Sequence, residues 1–369
     1  MDRGATAGRG ARDRRSSGRL SSGGHGAIVE GVETRPAAHA MAGSGRVTMA
    51  NAWRSAMTSI AVLVAVPCFA QDHGDGAALD PADPPAVVRT GTDTDDRVTV
   101  PIRISDTGPY AFVVDTGSQR TVISRELADR LALVADATVR VMSMTGSSDV
   151  STVIVPHLSF GSSHIRDIQA PVFAGEHLGA EGLLGLDGLQ SKRLVLNFRT
   201  GRMEIGPSRR RRGSDEADAI VVTARSKLGQ LILLNSTADG QRVNVILDTG
   251  AEYSVGNAAL LRKLTRKRKD RFVGTATMTS VTGDTLVGQW GMIDEVKMGN
   301  LTMSDLPVVF AEAAPFAELG LSDKPALLLG INALRVFARV AIDFGAKSVD
   351  FLLPEQVALP NRQLAALQP

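Results

Sequence analysis

Two stretches of this chain carry the same word in the same setting. Residues 111–124 read AFVVDTGSQRTVIS and residues 243–257 read VNVILDTGAEYSVGN, so Asp115-Thr116-Gly117 and Asp248-Thr249-Gly250 each close an apolar run of strand length. The copies lie 133 residues apart, and further landmarks repeat in the same order. Met144-Thr145-Gly146 parallels Val281-Thr282-Gly283, Phe160-Gly161 parallels Met298-Gly299, and Pro171-Val172-Phe173 parallels Val308-Val309-Phe310. EGLLGLDGL at 181–189 then answers ALLLGINAL at 326–334, and LNFRTGRMEI at 196–205 answers IDFGAKSVDF at 342–351. Offsets that stay between 133 and 146 in an unbroken order mark a duplicated domain. Such a chain must fold as two similar lobes.

Most segments between the landmarks have strand character. Val98 to Ile104, Val139 to Met144 and Ala276 to Val281 alternate apolar and polar residues, and joints rich in Gly and Asp separate them. One helix is expected in each copy after the aspartate, over Arg125 to Leu133 and over Asn257 to about Lys269. The fold class expected is therefore mainly β. The boundaries expected are 86–206 for the first lobe, 207–218 for a charged linker, 219–353 for the second lobe and 354–369 for a tail. Arg209 to Arg212 make that linker a solvated segment, with proteolytic processing as the alternative. The basic run RKLTRKRKDR, Arg262 to Arg271, reads as a solvated helix face.

The N-terminal stretch differs in kind. Residues 1–48 are rich in Gly, Arg, Ser and Ala without periodicity, the composition of a disordered or upstream segment, with translation expected to start at Met49. Residues 49–70 have the layout of a secretory signal: Arg54, an apolar stretch from Ile60 to Val66, and small residues before a cut near Ala70. Residues 71–85 follow as a linker. Removal of nine Arg and four acidic residues with the first seventy turns the formal charge from +2 to −3. No basic excess for nucleic acid then remains. The one cysteine, Cys68, leaves as well, and follows Pro67 in a poor context for lipid attachment. A periplasmic or secreted monomer without disulfides or a stable membrane anchor is expected.

Other chemistries find no support in the residues. His73, His157, His164 and His177 lack the His-Glu-x-x-His spacing of a helical zinc site, and neither a Gly-x-Gly-x-x-Gly opening a helix nor a Gly-x-Ser-x-Gly elbow occurs. No metal and no cofactor is expected.

An Asp-Thr-Gly after an apolar strand, followed in the same copy by Leu183-Leu184-Gly185 or Leu328-Leu329-Gly330, resembles the aspartic protease superfamily. The lobes are similar to the short, retropepsin-like domain, and their duplication on one chain resembles the pepsin arrangement. The resemblance spans about Ala86 to Leu353. It implies two β-barrel lobes related by a pseudo-two-fold axis, with Asp115 and Asp248 brought together as the catalytic pair of an endopeptidase acting on polypeptides. Two adjacent carboxyls share one proton, so activity is expected on the acid side of neutral. A catalytically weak relative that binds peptides or an envelope partner is the alternative.

The same resemblance assigns supporting roles. Thr116 and Thr249 bond across the lobe interface, Gly117 and Gly250 allow close backbone approach, and Gly185 and Gly330 leave room beside the aspartate loops. Ser118 has Ala251 as its counterpart, and a hydroxyl at that place would favour ionisation of Asp115 over Asp248. Flap hairpins are expected over Val141 to Val155, turning at Thr145-Gly146, and over Met278 to Trp290, turning at Thr282-Gly283. Tyr110 and Tyr253, the only tyrosines, lie in neither, so the pepsin-type flap tyrosine is missing.

Overall fold

The computed structural model describes residues 45–48, 63–65, 85–93, 95–208, 218–266 and 272–354. The rest of the N-terminal stretch, the arginine run of the linker, residues 267–271 and the tail lie outside the described residues. The chain is mainly β, as the alternation predicts, and both lobes are present.

In the first lobe six strands close into a barrel. Val98–Ile104 pairs with Thr107–Val114, then come Gly182–Leu184, Val122–Ser124, Ser163–Phe173 and Ser147–Phe160, and the last pairs back to Arg103 and Ile104. The apolar run before Asp115 has its cause here. Thr107–Val114 starts exposed and ends in three buried residues, because Phe112 and Val114 face one apolar cluster and Val113 faces another. A strand covered on both faces loses its polar alternation.

The second lobe repeats the path. Asn244–Leu247 runs parallel to Ala326–Leu329, and beyond the latter come in order Ser254–Gly256, Leu301–Phe310 and Thr285–Met298. The counterpart of Val98–Ile104 is split into Gln230–Leu233 and Ser236–Ala238 around Asn235, whose φ is +54°. That break leaves this barrel open where the first is closed.

The lobes are joined by a six-stranded antiparallel sheet. Its order is Ala86–Arg89, Arg202–Pro207, Lys192–Asn197, Arg339–Asp343, Ser348–Leu352, Ile220–Lys227. Each lobe supplies three strands, and the seam pairs Val195 with Ala341. The repeated sequences at 196–205 and 342–351 are thus two hairpins laid edge to edge, which generates the pseudo-two-fold relation. Phe337 and Phe351 pack ring to ring beneath the seam at 4.9 Å.

The first expected helix is shorter than predicted, and the end of the second, expected near Lys269, lies outside the described residues. Arg125–Arg130 is capped by the Ser124 side chain and ends where Ala132 takes φ +48°. Ala258–Thr265 is capped by Asn257. Gly45–Thr48, within the stretch expected to be unstructured, lies parallel to Leu301–Ser304, and Leu63–Ala65, within the expected leader, pairs with Val141–Ser143. Among the described residues no helix is long and apolar enough to cross a membrane.

Candidate active site

Each aspartate sits at the end of its buried strand and is held by its own loop. The Asp115 amide donates to the Leu184 carbonyl and the Asp248 amide to the Leu329 carbonyl, so the Leu-Leu-Gly strands fix both positions. Asp115 Oδ1 accepts from the amides of Gly117 at 2.8 Å and Ser118 at 2.9 Å, and Asp248 Oδ1 accepts from Gly250 at 2.9 Å. Both side chains are fully buried, and Oδ2 of each has no hydrogen-bond partner.

The two loops meet at the pseudo-axis. Thr116 N–H donates to Thr249 Oγ1 at 3.1 Å, and Thr249 N–H donates to Thr116 Oγ1 at the same distance. Each hydroxyl then donates across to the opposite strand, Thr116 to Leu247 O at 3.2 Å and Thr249 to Val114 O at 2.5 Å. Four buried bonds therefore lock the lobes together at the site. The glycines decide how near the carboxyls come. A Cβ on Gly117 would stand 2.5 Å from Asp248 Oδ2, and one on Gly250 would stand 2.5 Å from Asp115 Oδ2. Each carboxyl thus lies against the other lobe's glycine, and only residues without a side chain permit it.

Gly185 and Gly330 have the room-making role expected. A side chain on Gly330 would meet the Tyr253 backbone at 2.6 Å, and one on Gly185 would collide with the backbone of Arg120 and Thr121. Beside them a supporting network repeats in both lobes. Thr121 Oγ1 accepts from Gly185 N and donates to Asp187, while Ser254 Oγ accepts from Gly330 N and donates to Asn332.

The role expected for the Ser118 hydroxyl is not what the structure has. Ser118 Oγ donates to the Arg120 carbonyl at 2.7 Å, away from Asp115, and it is the Ser118 amide that reaches the carboxylate. The single hydroxyl proton is committed to the Arg120 carbonyl and so is not available to Asp115.

Burial pushes both carboxyls above the usual range. For Asp115 the rise is opposed by the amides of Gly117 and Ser118 and then by the charge of Arg97. For Asp248 the charge of Asp115 adds to burial, and the acid is raised further. The pair thus favours one proton shared between an ionised and a neutral member.

Both hairpins expected as flaps are present as hairpins. Val134–Ser143 and Ser147–Phe160 form one hairpin, Phe272–Thr279 and Thr285–Met298 the other, turning at Thr145-Gly146 and Thr282-Gly283. Met144 and Val281, in matching positions, are buried in opposite lobes. Met144 packs into the second lobe's cluster with Ile246, Val255, Leu328 and Phe316, and its carbonyl accepts from Ala314 N at 2.9 Å. Val281 packs into the first lobe's cluster with Val113, Val122, Phe173 and Leu183. Gly283 lies on the ring of His177, which sits in the short helix Gly175–Leu178, so this histidine touches the second hairpin's turn. Trp290 meets Tyr253 edge to face at 5.4 Å, a packing contact within the second lobe.

Two buried residues near the loops carried no signal as motifs. Arg97 Nη1 donates to the Gly250 carbonyl at 3.3 Å, Nη2 reaches the Leu178 carbonyl, and Nε donates to Asp93 at 2.7 Å. Gln230 Nε2 donates to the Gly117 carbonyl at 2.7 Å. Each precedes its lobe's aspartate by eighteen residues, and that matched spacing was the signal available. Glu252, just beyond Ala251, is pushed up to about 7, chiefly by burial, with the Tyr253 hydrogen bond opposing and Asp95 adding to the rise.

Among the described residues no cluster of His, Cys, Asp and Glu is arranged to hold a metal ion. A family model described as aspartyl protease matches residues 100–187 and 234–333, together more than half of the chain and one region per lobe. No curated protein matches the sequence.

Proposed function

Because the chain belongs to the aspartyl protease family, we propose that it is an endopeptidase in which Asp115 and Asp248 activate water for attack on a peptide bond. The observation that carries this is the pair itself: two buried carboxyls, one from each lobe, each with Oδ1 held by loop amides and each interacting side chain to side chain with the other. The ionised member takes a proton from a water placed between them as the water attacks the carbonyl carbon. The neutral member donates its proton to the carbonyl oxygen, giving a tetrahedral diol. Return of a proton to the amide nitrogen expels the amine, and no covalent acyl-enzyme is formed. Rate requires one proton on the pair, so it falls in acid when both are protonated and at higher pH when both are ionised.

The substrate is an extended polypeptide lying beneath two flaps, one from each lobe. Both aspartates are fully buried, so a substrate reaches them only after local opening, which we assign to the two hairpins. That burial also favours the second reading, a catalytically weak protein that holds peptides or an envelope partner. We further propose that the protein acts after export, as a monomer whose two lobes complete one site.

The test is cleavage of a peptide library at acid and neutral pH by the protein, by Asp115→Asn and by Asp248→Asn. Cleavage by the unaltered protein alone is expected. Cleavage surviving in either variant would overturn the shared-proton mechanism, and none by the unaltered protein would favour the binding reading.

A further inference from the structure

The duplicated site is not electrically symmetric, and one pair of equivalent positions accounts for it. Arg97 and Gln230 stand eighteen residues before their aspartates, both buried, and each crosses to the other lobe's catalytic loop. Arg97 bonds to the Gly250 carbonyl, and Gly250 is the residue against which the Asp115 carboxyl rests. Gln230 bonds to the Gly117 carbonyl, and Gly117 is the residue against which the Asp248 carboxyl rests. One aspartate therefore has a guanidinium behind the glycine it faces, and the other has a neutral amide.

On the premise that the protein is a protease of the kind proposed, we infer that Arg97 and Gln230 are positioning residues that assign the two halves of the reaction: Arg97 holds Asp115 as the ionised base, and Gln230 leaves Asp248 as the proton-bearing acid. The two make the same loop-to-lobe hydrogen bond, so the loops keep matching geometry while the charge differs. At Asp115 the rise caused by burial is opposed first by the Gly117 and Ser118 amides and then by the Arg97 charge, and no cation opposes it at Asp248. Arg97 is itself faced by Asp93 at 2.5 Å, by Asp95 at 3.8 Å, and by the charges of Asp115 and Glu252. Asp93 engages Nε and Nη2, which leaves Nη1 directed at the catalytic loop. Glu252 is held up by its burial and so adds little negative charge in acid, where the pair works. The positions in the first lobe that correspond to Arg97's partner Glu252 and in the second to Arg97 itself are Gln119 and Gln230, both uncharged.

The experiment reads the carboxyls without substrate. The full-length protein carrying ¹³C-labelled aspartate carboxyls is titrated by NMR, with Asp115→Asn and Asp248→Asn assigning the pair. Asp115 is expected to ionise first. Arg97→Gln should raise that first ionisation by roughly 0.5–1 pH unit, the lower end of what a nearby cation contributes because Asp93 offsets part of it. Arg97→Lys should keep it near the original value, and Gln230→Arg should lower it. A merely structural Arg97 would alter melting temperature and leave the titration in place. An unmoved first ionisation in both Arg97→Gln and Gln230→Arg, or Asp248 ionising first in the unaltered protein, would overturn the inference. If Arg97→Gln does not fold, Gln230→Arg carries the decision alone, since it removes no cation. Absence of peptide cleavage would defeat the protease proposal while leaving the titration to judge this one.

Discussion

Asp115 and Asp248 are costly residues to bury, and the native state meets that cost by keeping a proton on the pair. Both acids are raised above the unfolded value, which is about 3.9. A group that binds its proton more tightly when folded stabilises the protein fully below its unfolded pKa, and that stability is lost as pH rises through the folded range. Melting temperature should therefore fall from about pH 4 upward, and Asp248→Asn, which mimics the protonated acid, should flatten this fall when calorimetry is run across pH. Gly250→Ala tests geometry instead. Its Cβ would overlap the Asp115 carboxyl, and displacing a reacting group by about 1 Å can cost about 10²-fold in rate. The expected outcome is a loss of that size in kcat with circular dichroism unchanged. Thr249→Val keeps the shape but strands the Val114 carbonyl and the Thr116 amide. Two buried groups without partners should lower unfolding free energy by roughly 2–4 kcal/mol in a denaturant melt.

Each hairpin is anchored by one side chain in the other lobe, the arrangement that the proposed role as paired covers requires. Full burial of a side chain the size of Met144 is worth about 2 kcal/mol, enough to hold a flap closed most of the time without preventing opening. Met144→Asp should shift the first hairpin toward the open form, because the cluster of Ile246, Val255 and Phe316 offers a carboxylate no partner. Hydrogen exchange is the measurement: the Ala314 amide, whose acceptor is the Met144 carbonyl, should lose protection together with residues 134–160. Retained protection at Ala314 would mean that the tip is not what holds the hairpin. The short capped helices have a simpler role, since their buried faces, Leu127 with Ala128 and Leu260 with Leu264, join the main apolar core.

The molecule is a dimer written on one chain. What keeps the halves in register is the six-stranded sheet and the threonine bonds, not the linker between Pro207 and Asp218. Both strands that border the linker are paired within the sheet, Arg202–Pro207 with Lys192–Asn197 and Ile220–Lys227 with Ser348–Leu352. A specific cleavage site inserted among residues 209–217 should therefore give a nicked protein that elutes as one species with full activity. Separation of the fragments on size exclusion would show that the covalent link is needed.

Much of this plan could be read from the residues because repetition is visible without coordinates. Two Asp-Thr-Gly words, their Leu-Leu-Gly strands and the matched flap turns are local patterns set by backbone sterics and strand burial, and these placed both aspartates, the supporting glycines and the flaps. The first helix stops at Arg130, short of the pattern's reach, because Ala132 takes a left-handed backbone conformation that propensity does not register. Ser118 was given the wrong partner because which carbonyl a hydroxyl meets depends on the path of the following turn. Arg97 and Gln230 were passed over because a single Arg or Gln has no motif, and its meaning comes from the opposing loop that only folding brings near it. The sequence by itself determined the duplication, the strands and the acids at their ends, since these follow from short-range chemistry. The tertiary structure alone decided which lobe's charge stands behind which acid, because electrostatic influence depends on distance through space and not along the chain.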